Sequence, residues 1–337
     1  MKKHEQPRHV LVYRLSALGD VAMTIPAIYS CAEAYPNTTF HVVTTAFCTQ
    51  LFVNPPANVV LHPIEKPVTT WRVLKALRKM DIDAVADLHN VLRSWMVDAM
   101  FWLRRKTVKV LAKRRQERYE ILKEGMRAQP FVMRYFDVFR RLGLPCEPTF
   151  STLFGKQPLL PVNMEKGSER WVGIAPFARF ENKTYPIEKM QEVVRRLVEH
   201  PDIHVFLFGA RGEQAEALKQ WEQLSPRVHS VAGSFALNEE LALMAHLDVM
   251  LSMDSANQHM ASLVGTRVVT VWGSTTPACG FLGWGQHTTD AVCANIDCQP
   301  CAIGGSKQCN LGTIACMKAI APETIVKAVL RHDVEDL

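Results

Sequence analysis

Three groups of residues in this chain have the types and spacing for chemistry. The first is Asp20, at the end of RLSALGD, which follows directly on the apolar run HVLVY. Such a run reads as a buried strand. The turn after it, where a helix opens, is where α/β proteins usually place phosphate-cradling glycines. One glycine and a carboxylate make a poor cradle: G-x-G-x-x-G is absent, and the acid would repel a pyrophosphate. Asp20 is therefore either a helix cap, which offsets the helix dipole, or a base that accepts a proton from a hydroxyl delivered to the cleft. The second group lies in IAPFARFENKTYP, residues 174–186. There a strand ends and an irregular loop with Arg179 and Lys183 leads to Pro186, a good first residue for the next helix. The two cations are either surface charges or a phosphate clamp. The third group is SMDSANQHMASLVGT, residues 252–266, with Asp254, Ser255 and Asn257 at a helix start and His259 one turn later. Free N–H groups at that position suit an anion, and Asp254 suits sugar hydroxyls. Capping accounts for Asp254 or Ser255 singly but less well for the cluster.

The nine cysteines form a separate question. An odd number, with no apolar leader in MKKHEQPRHV, points to reduced thiols or a metal rather than a disulfide framework. Cys298, Cys301, Cys309 and Cys316 follow a C-x2-C-x7-C-x6-C pattern with Cys293 just upstream. Four loop thiolates could surround a structural zinc ion, and buried or loosely paired thiols are the alternative. A D-x-D string, Asp81 to Asp83, precedes its strand and so falls at the wrong end for a cleft.

These residues need elements to position them. Short β-rich runs (HVLVYRL, FHVVTT, AVADLH) alternate with helical patterns (VAMTIPAIYSCAEAYP, TTWRVLKALRKM). The pattern then restarts. RWVGIAP, IHVFLFG, VHSVAG, DVMLSM and RVVTVWG read as strands, and PIEKMQEVVRRLVEH, GEQAEALKQWEQL, NEELALMAHL and SANQHMASLVG as helices. Alternation of this kind, twice over, predicts two α/β domains with parallel sheets covered by helices. A chain of 337 residues is long enough for both. The aperiodic segment 150–170, with its prolines and glycines, is the expected linker.

Hydrophobic residues make up 48% and charged residues 21%, an ordinary globular composition without the signature of disorder. No window is apolar enough to span a membrane, which leads to the expectation of a cytoplasmic protein. The net charge of +6 is uneven: Arg104 to Arg127 carries ten Lys or Arg, among them Lys113, Arg114 and Arg115, against three Glu. That run is either a solvated helix face or a surface for phosphates or an anionic membrane. No zinc finger, aromatic RNA-binding motif or recognition helix accompanies it, so nucleic acid is not an expected partner.

RLSALGDVAMTIPAIYSCAEAYP, DLHNVLRS, NKTYPIEKM, MDSANQHMASLVGTRVVTVWGSTTP and CQPCAIGGSKQCNLGTIACMKAIAPETIV resemble, in order, the motifs of the glycosyltransferase family 9 heptosyltransferases of lipopolysaccharide core synthesis. The resemblance implies the GT-B fold, two facing Rossmann-like α/β domains. Residues 1–155 would be the acceptor domain, 165–322 the nucleotide-sugar domain, and 323–337 a C-terminal helix packing back on the first. It implies Asp20 as catalytic base, Lys183 as the phosphate-binding lysine, and Asp254, Ser255, Ala256, Asn257 and His259 as the donor-binding turn. Arg179 would join them, and Glu239 matches the family's ribose-binding glutamate in position. Ser16, Gly19 and Arg93 fall to the acceptor. The implied partners are ADP-heptose and a lipid A-core acceptor, met at the cytoplasmic face of the inner membrane by a peripherally bound enzyme. Tyr185 stands where the family usually has tryptophan, Ala256 replaces a common glycine, and Arg267 a proline; these departures bear on the donor sugar more than on the reaction class.

Residues and resemblance together describe one in-line, inverting displacement. Asp20 takes the proton of the attacking hydroxyl, while Lys183, Arg179 and the helix start at Ser255 stabilise the departing diphosphate. Fixed cations do this without a cofactor or divalent metal. Two other classes fit two facing Rossmann-like domains: a nucleotide-sugar epimerase, which would release a free sugar without an acceptor, and a non-catalytic sugar-nucleotide or lipid-binding module, which would have no need of Asp20.

Overall fold

The structure, a computed structural model, describes residues 6–304, 308–309 and 311–331. They form two compact units: residues up to Arg115 with Gln129–Leu153, and Gln116–Ala128 with the residues from Phe154 onward. Each is built on one parallel sheet.

The first unit carries β1 (His9–Tyr13), β2 (Thr39–Thr45), β3 (Val59–Ile64), β4 (Ala84–Asp87) and β5 (Thr107–Val110), in the order β3-β2-β1-β4-β5. Every neighbouring pair is parallel. Val10 to Tyr13 of the central strand are fully buried, as an apolar run covered on both faces should be. The helices are α1 (Leu18–Ala22), α2 (Ile25–Ala34), α3 (Ala46–Thr49), α4 (Thr70–Leu77), α5 (Leu92–Leu103) and, beyond α6 (Arg115–Glu124), α7 (Phe131–Arg141). Val73 and Leu77 of α4 and Val97 and Phe101 of α5 pack on Leu11, Tyr13, Val43 and Val85 of the sheet. On α2, Cys31 is joined to Cys146, which follows α7. The expectation that all nine thiols are free or metal-bound is thus corrected, because packing of α2 on α7 brings this pair together.

The second unit carries β6 (Arg170–Ala175), β7 (Ile203–Leu207), β8 (Val228–Ser230), β9 (Val249–Met253), β10 (Val268–Val271) and β11 (Ala291–Val292), in the order β11-β10-β9-β6-β7-β8. Around them lie α8 (Ile187–Leu197), α9 (Glu213–Lys219), α10 (Leu237–Met244), α11 (Ala256–Leu263), α12 (Ala315–Ala319) and α13 (Pro322–Leu330). Its core joins Val172, Val205, Leu251 and Val269 of the sheet to Met190 and Val193 of α8 and to Ile325 and Val329 of α13. The described part of the C-terminal helix therefore packs within the second unit, on α8 and β10, rather than on the first. Residues 332–337 of that expected helix lie outside the described residues.

Strand order reverses beside β1 and β4 in one sheet and beside β6 and β9 in the other. At such switch points the loops leaving the strand ends part to opposite faces and open a crevice. Asp20 follows β1, Arg93 follows β4, Lys183 follows β6 and Asp254 follows β9. The basic run is divided, Arg104 to Arg115 belonging to the first unit and Gln116 to Arg127 to the second.

Candidate active-site residues

In the first unit the loop after β1 sets Asp20 at the third position of α1. Its Oδ2 takes a hydrogen bond from the Ala17 N–H at 3.1 Å and an ion pair from Arg14 Nη2 at 2.8 Å. Oδ1 takes no hydrogen bond among the described residues. The Arg14 side chain is 8% exposed and that of Asp20 30%, so a buried cation holds a carboxylate that still reaches solvent. Arg14 is itself fixed, donating from Nη1 to the Leu88 carbonyl. The buried Tyr135 donates its hydroxyl to the Asp20 carbonyl at 3.4 Å. Ser16 is exposed in the same loop, and Gly19, inside α1, accepts the Met23 N–H.

The end of β4 is a second polar knot. Asp87, fully buried, accepts the His89 and Asn90 N–H groups on Oδ1 and the Ser94 hydroxyl on Oδ2 at 2.6 Å. This turn launches α5 and sets Arg93 at its second position, half-buried and within electrostatic reach of Tyr13. Burial and the adjacent Asp87 hold the Asp98 carboxyl protonated well above the usual range. Burial, then the nearby Arg14, lowers His89 to about 4 and keeps the ring neutral. Arg14, Asp87 and His89 were not singled out in the sequence. The signal for Arg14 was an arginine placed immediately after an apolar strand, where only a paired cation survives burial.

In the second unit, Lys183 and Asp254 are brought into one buried ion pair, Nζ to Oδ2 at 2.5 Å. Asp254 also accepts the Thr275 hydroxyl on Oδ2 and the Gln258 amide on Oδ1. Its carboxylate is thus committed to protein partners, and sugar hydroxyls would have to displace one of them. Lys183 closes the 3-10 turn Glu181–Lys183, whose Asn182 carbonyl accepts the Ser274 N–H at 3.0 Å. That approach requires Gly273, since a Cβ there would collide with the Asn182 carbonyl. Ser255 begins α11 in extended conformation without a side-chain cap. The N–H groups of that helix start are therefore not taken by its own side chain. Ser255, Ala256 and Asn257 are half-exposed, whereas His259 is buried on the inner side.

Two assigned residues do not join this group. Arg179 is exposed and lies over its neighbour Phe180, 5.5 Å from the ring centre. Glu239 is exposed and accepts the Ala236 N–H at 2.8 Å, capping α10. Beside it, burial raises Glu240 to about 7, opposed by Arg211. Among the described residues no three or more His, Cys, Asp or Glu are grouped closely enough to hold a metal, although Cys298, Cys301 and Cys309 lie within electrostatic reach of Cys316. Asp83 of the D-x-D string precedes β4 and accepts the Arg8 and His9 N–H groups, a structural role at the amino end of the sheet. Tyr185 is fully buried and donates to the Ile320 carbonyl. Arg267 pairs with Asp290 and donates to the Ala328 and Arg331 carbonyls, fastening α13 to the sheet. Of the three departures from the family pattern, Tyr185 and Arg267 thus serve the internal structure of the second unit.

The family model of Glycosyltransferase family 9 (heptosyltransferase) matches residues 70–313. The chain is 22% identical over 335 residues to lipooligosaccharide heptosyltransferase 2 of Campylobacter jejuni, covering 95% of this chain and 98% of that one. Among solved structures it is similar to the glycosyl transferase family 9 protein of Veillonella parvula, with a TM-score of 0.70, 17% identity and 95% of each chain covered. It is also similar to E. coli ADP-heptose LPS heptosyltransferase II, with a TM-score of 0.64, 19% identity, and 95% of this chain and 97% of that one covered. The likeness and the two parallel-sheet units give the chain the GT-B fold.

Proposed function

Because the chain belongs to glycosyltransferase family 9, the heptosyltransferases, we propose that it transfers a heptose from ADP-heptose to a hydroxyl of the lipopolysaccharide inner core, with inversion, at the cytoplasmic face of the inner membrane. The observation that carries this reading is Asp20: a carboxylate at the switch point of the first sheet, held through Oδ2 by buried Arg14, with Oδ1 unbonded among the described residues.

In this reading the acceptor hydroxyl meets Oδ1. A sugar hydroxyl is a poor nucleophile at neutral pH, and proton removal as the new bond forms contributes about 10²–10⁴-fold. Arg14 fixes the carboxylate so that little orientation is lost on reaching the transition state. Ser16, just before α1, Gly19 within it and Arg93 in the first turn of α5 follow the ends of β1 and β4 and are assigned to acceptor binding. On the donor side, Lys183 and the N–H groups at Ser255, Ala256 and Asn257 face the diphosphate as negative charge builds on it. Such preorganised donors are worth most where water is excluded. Asp254 holds Lys183 in place, His259 supports the turn from its buried side, and Arg179 and Glu239 reach the donor only by leaving their present partners. The departing group is neutralised by fixed charges, so no step calls for a divalent metal.

The test is incubation of the purified protein with ADP-heptose and a panel of lipid A-core acceptors, with products weighed by mass spectrometry. A gain of one heptosyl unit on one acceptor, matched by ADP release, is expected. Free heptose formed equally with and without acceptor would overturn the reading in favour of nucleotide-sugar processing without transfer.

A further inference from the structure

α5 is apolar on both sides. Ser94, Val97 and Phe101 face the core, as expected of a helix packed on a sheet. Its outer side should be polar, yet Leu92, Trp95, Met96, Trp102 and Leu103 are 49–74% exposed. With Ala99 they recur at i, i+3, i+4, i+7, i+10 and i+11, one continuous stripe on a helical surface. α4 extends the stripe sideways. Its Trp71, 67% exposed, lines a shallow cavity of about 410 Å³ together with Leu74, Lys75, Arg78 and Met100 of α5. The helix ends are tied by Arg104, which donates to the Arg78 carbonyl at 3.0 Å. A contiguous apolar face of this kind on a globular unit marks a surface that something covers.

The surrounding charge identifies the cover. Arg72, Lys75, Arg78 and Lys79 border the stripe along α4, and Arg104 and Arg105 close its end. The one acid of α5, Asp98, is turned to the interior beside Asp87. An exposed apolar stripe with three tryptophans and a mainly cationic border, in which the exposed Asp81 is offset by Lys106, is the chemistry of a helix lying in the headgroup region of an anionic bilayer. Twelve residues of helix, about 18 Å long, cannot cross a hydrocarbon core of roughly 30 Å, so the helix lies in the plane. Trp95 is preset for this position, its indole N–H held by Asn90 at 2.8 Å with the ring outward.

We propose that the α4–α5 face of the first unit is the membrane-docking surface, inserting Trp71, Trp95, Trp102, Leu92 and Leu103 among anionic lipid headgroups. This deepens the reading of a membrane-anchored acceptor: α5 begins with Arg93, so docking along α5 brings the acceptor loops toward the lipid. It assigns bilayer contact to apolar side chains with charge around them, not to the basic run as a whole.

The experiment is co-sedimentation of the full chain with vesicles of phosphatidylethanolamine and phosphatidylglycerol, or of phosphatidylcholine alone, across a salt series. Tryptophan emission is followed in parallel. Binding to the anionic vesicles with a blue shift is expected, weakened but not abolished by salt. The W95Q/W102Q variant should keep the parent melting temperature and bind at least tenfold more weakly, losing most of the blue shift. The K75Q/R78Q variant should lose only the salt-sensitive part. Three results overturn the proposal: no binding of the parent at low salt, equal binding by W95Q/W102Q, or a lipid-free dimer that W95Q/W102Q converts to monomer, which would make a second copy the cover. Vesicle binding needs neither ADP-heptose nor an acceptor sugar, so its failure leaves the transfer reading standing, and failed transfer leaves this surface untouched.

Discussion

Asp20 takes both of its contacts on Oδ2, which lets one carboxylate act as helix cap and as base. The Asp20→Asn variant can keep the Ala17 bond through its side-chain oxygen but leaves buried Arg14 without its counter-charge, so the fold should survive with reduced stability. Transfer should fall by at least about a hundredfold, the lower end of general-base effects. Single-turnover rates, taken at a temperature where the variant's unfolding curve shows it folded, check this; near-parent turnover would remove Asp20 from the chemistry. For Lys183 the structure alters what the sequence implied. A lysine assigned to phosphate is bound to Asp254 in a buried pair, and breaking such a pair typically costs about 3–5 kcal/mol, because the remaining charge stays buried. The Lys183→Ala variant is therefore expected to lose both stability and diphosphate affinity. Adding Asp254→Asn should restore much of the stability without restoring ADP binding, as read by urea unfolding and calorimetry with ADP against adenosine. Equal recovery of both would make the pair purely structural.

The elements that place these residues were legible where burial on both faces wrote a mostly apolar run, as in β1, β4, β6, β7 and β9, with only His204 and Ser252 interrupting the last two. Legibility failed where other demands shaped the sequence. β3 contains Pro63, which argues against a strand but is tolerated at a sheet edge. β5 alternates apolar and polar residues inside the basic run. α5 lacks a one-sided pattern because both its sides are apolar. The single helix expected over 21–36 is two, divided at Met23 and Thr24 with Pro26 in the first turn of α2, and α9 gives way to a 3-10 turn at Gln220–Leu224. In the candidate site, residue types at strand ends were readable, but pairings were not: nothing in the spacing joins Arg14 to Asp20 or Lys183 to Asp254. Register also created a feature without sequence signal, a hydrogen-bonded file of His9, His41 and His62 across β1, β2 and β3 at 3.1 and 3.0 Å. Burial, then His62 and His9, lowers His41 to about 4. An unfolded histidine takes its proton near pH 6.5, so this contribution to stability is whole above that pH and is lost as pH falls toward 4. The His41→Gln variant should flatten the loss of unfolding free energy between pH 7 and 5 by about 1 kcal/mol, allowing for solvent screening of a half-buried ring. The raised carboxyls of Asp98 and Glu240 act in the opposite sense, so the measurement compares variant with parent. An unchanged slope would mean the file is already broken or charged.

At the scale of the molecule, each unit has its own sheet and core. Ligands of one unit should therefore leave a local signature. ADP is expected to slow amide exchange in Ala178 to Lys183 and Ser255 to His259 severalfold and to leave the loop Ser16 to Asp20 and the turn His89 to Ser94 unprotected. Protection of the first unit by ADP alone would reassign the donor. The chain also enters the second unit twice: it crosses after Arg115, returns before Gln129 and crosses again after Leu153. Three covalent passages, not one tether, join the two bodies, and the Gln116–Ala128 excursion makes neither of them a continuous length of polypeptide. A gene fragment ending at residue 153 would encode the first body together with a stranded piece of the second, and a fragment starting at 154 would lack that piece. Recombination between relatives that exchanges whole halves would therefore separate Gln116–Ala128 from its own neighbours, whereas an exchange that carries this short insert along with the second body would preserve both.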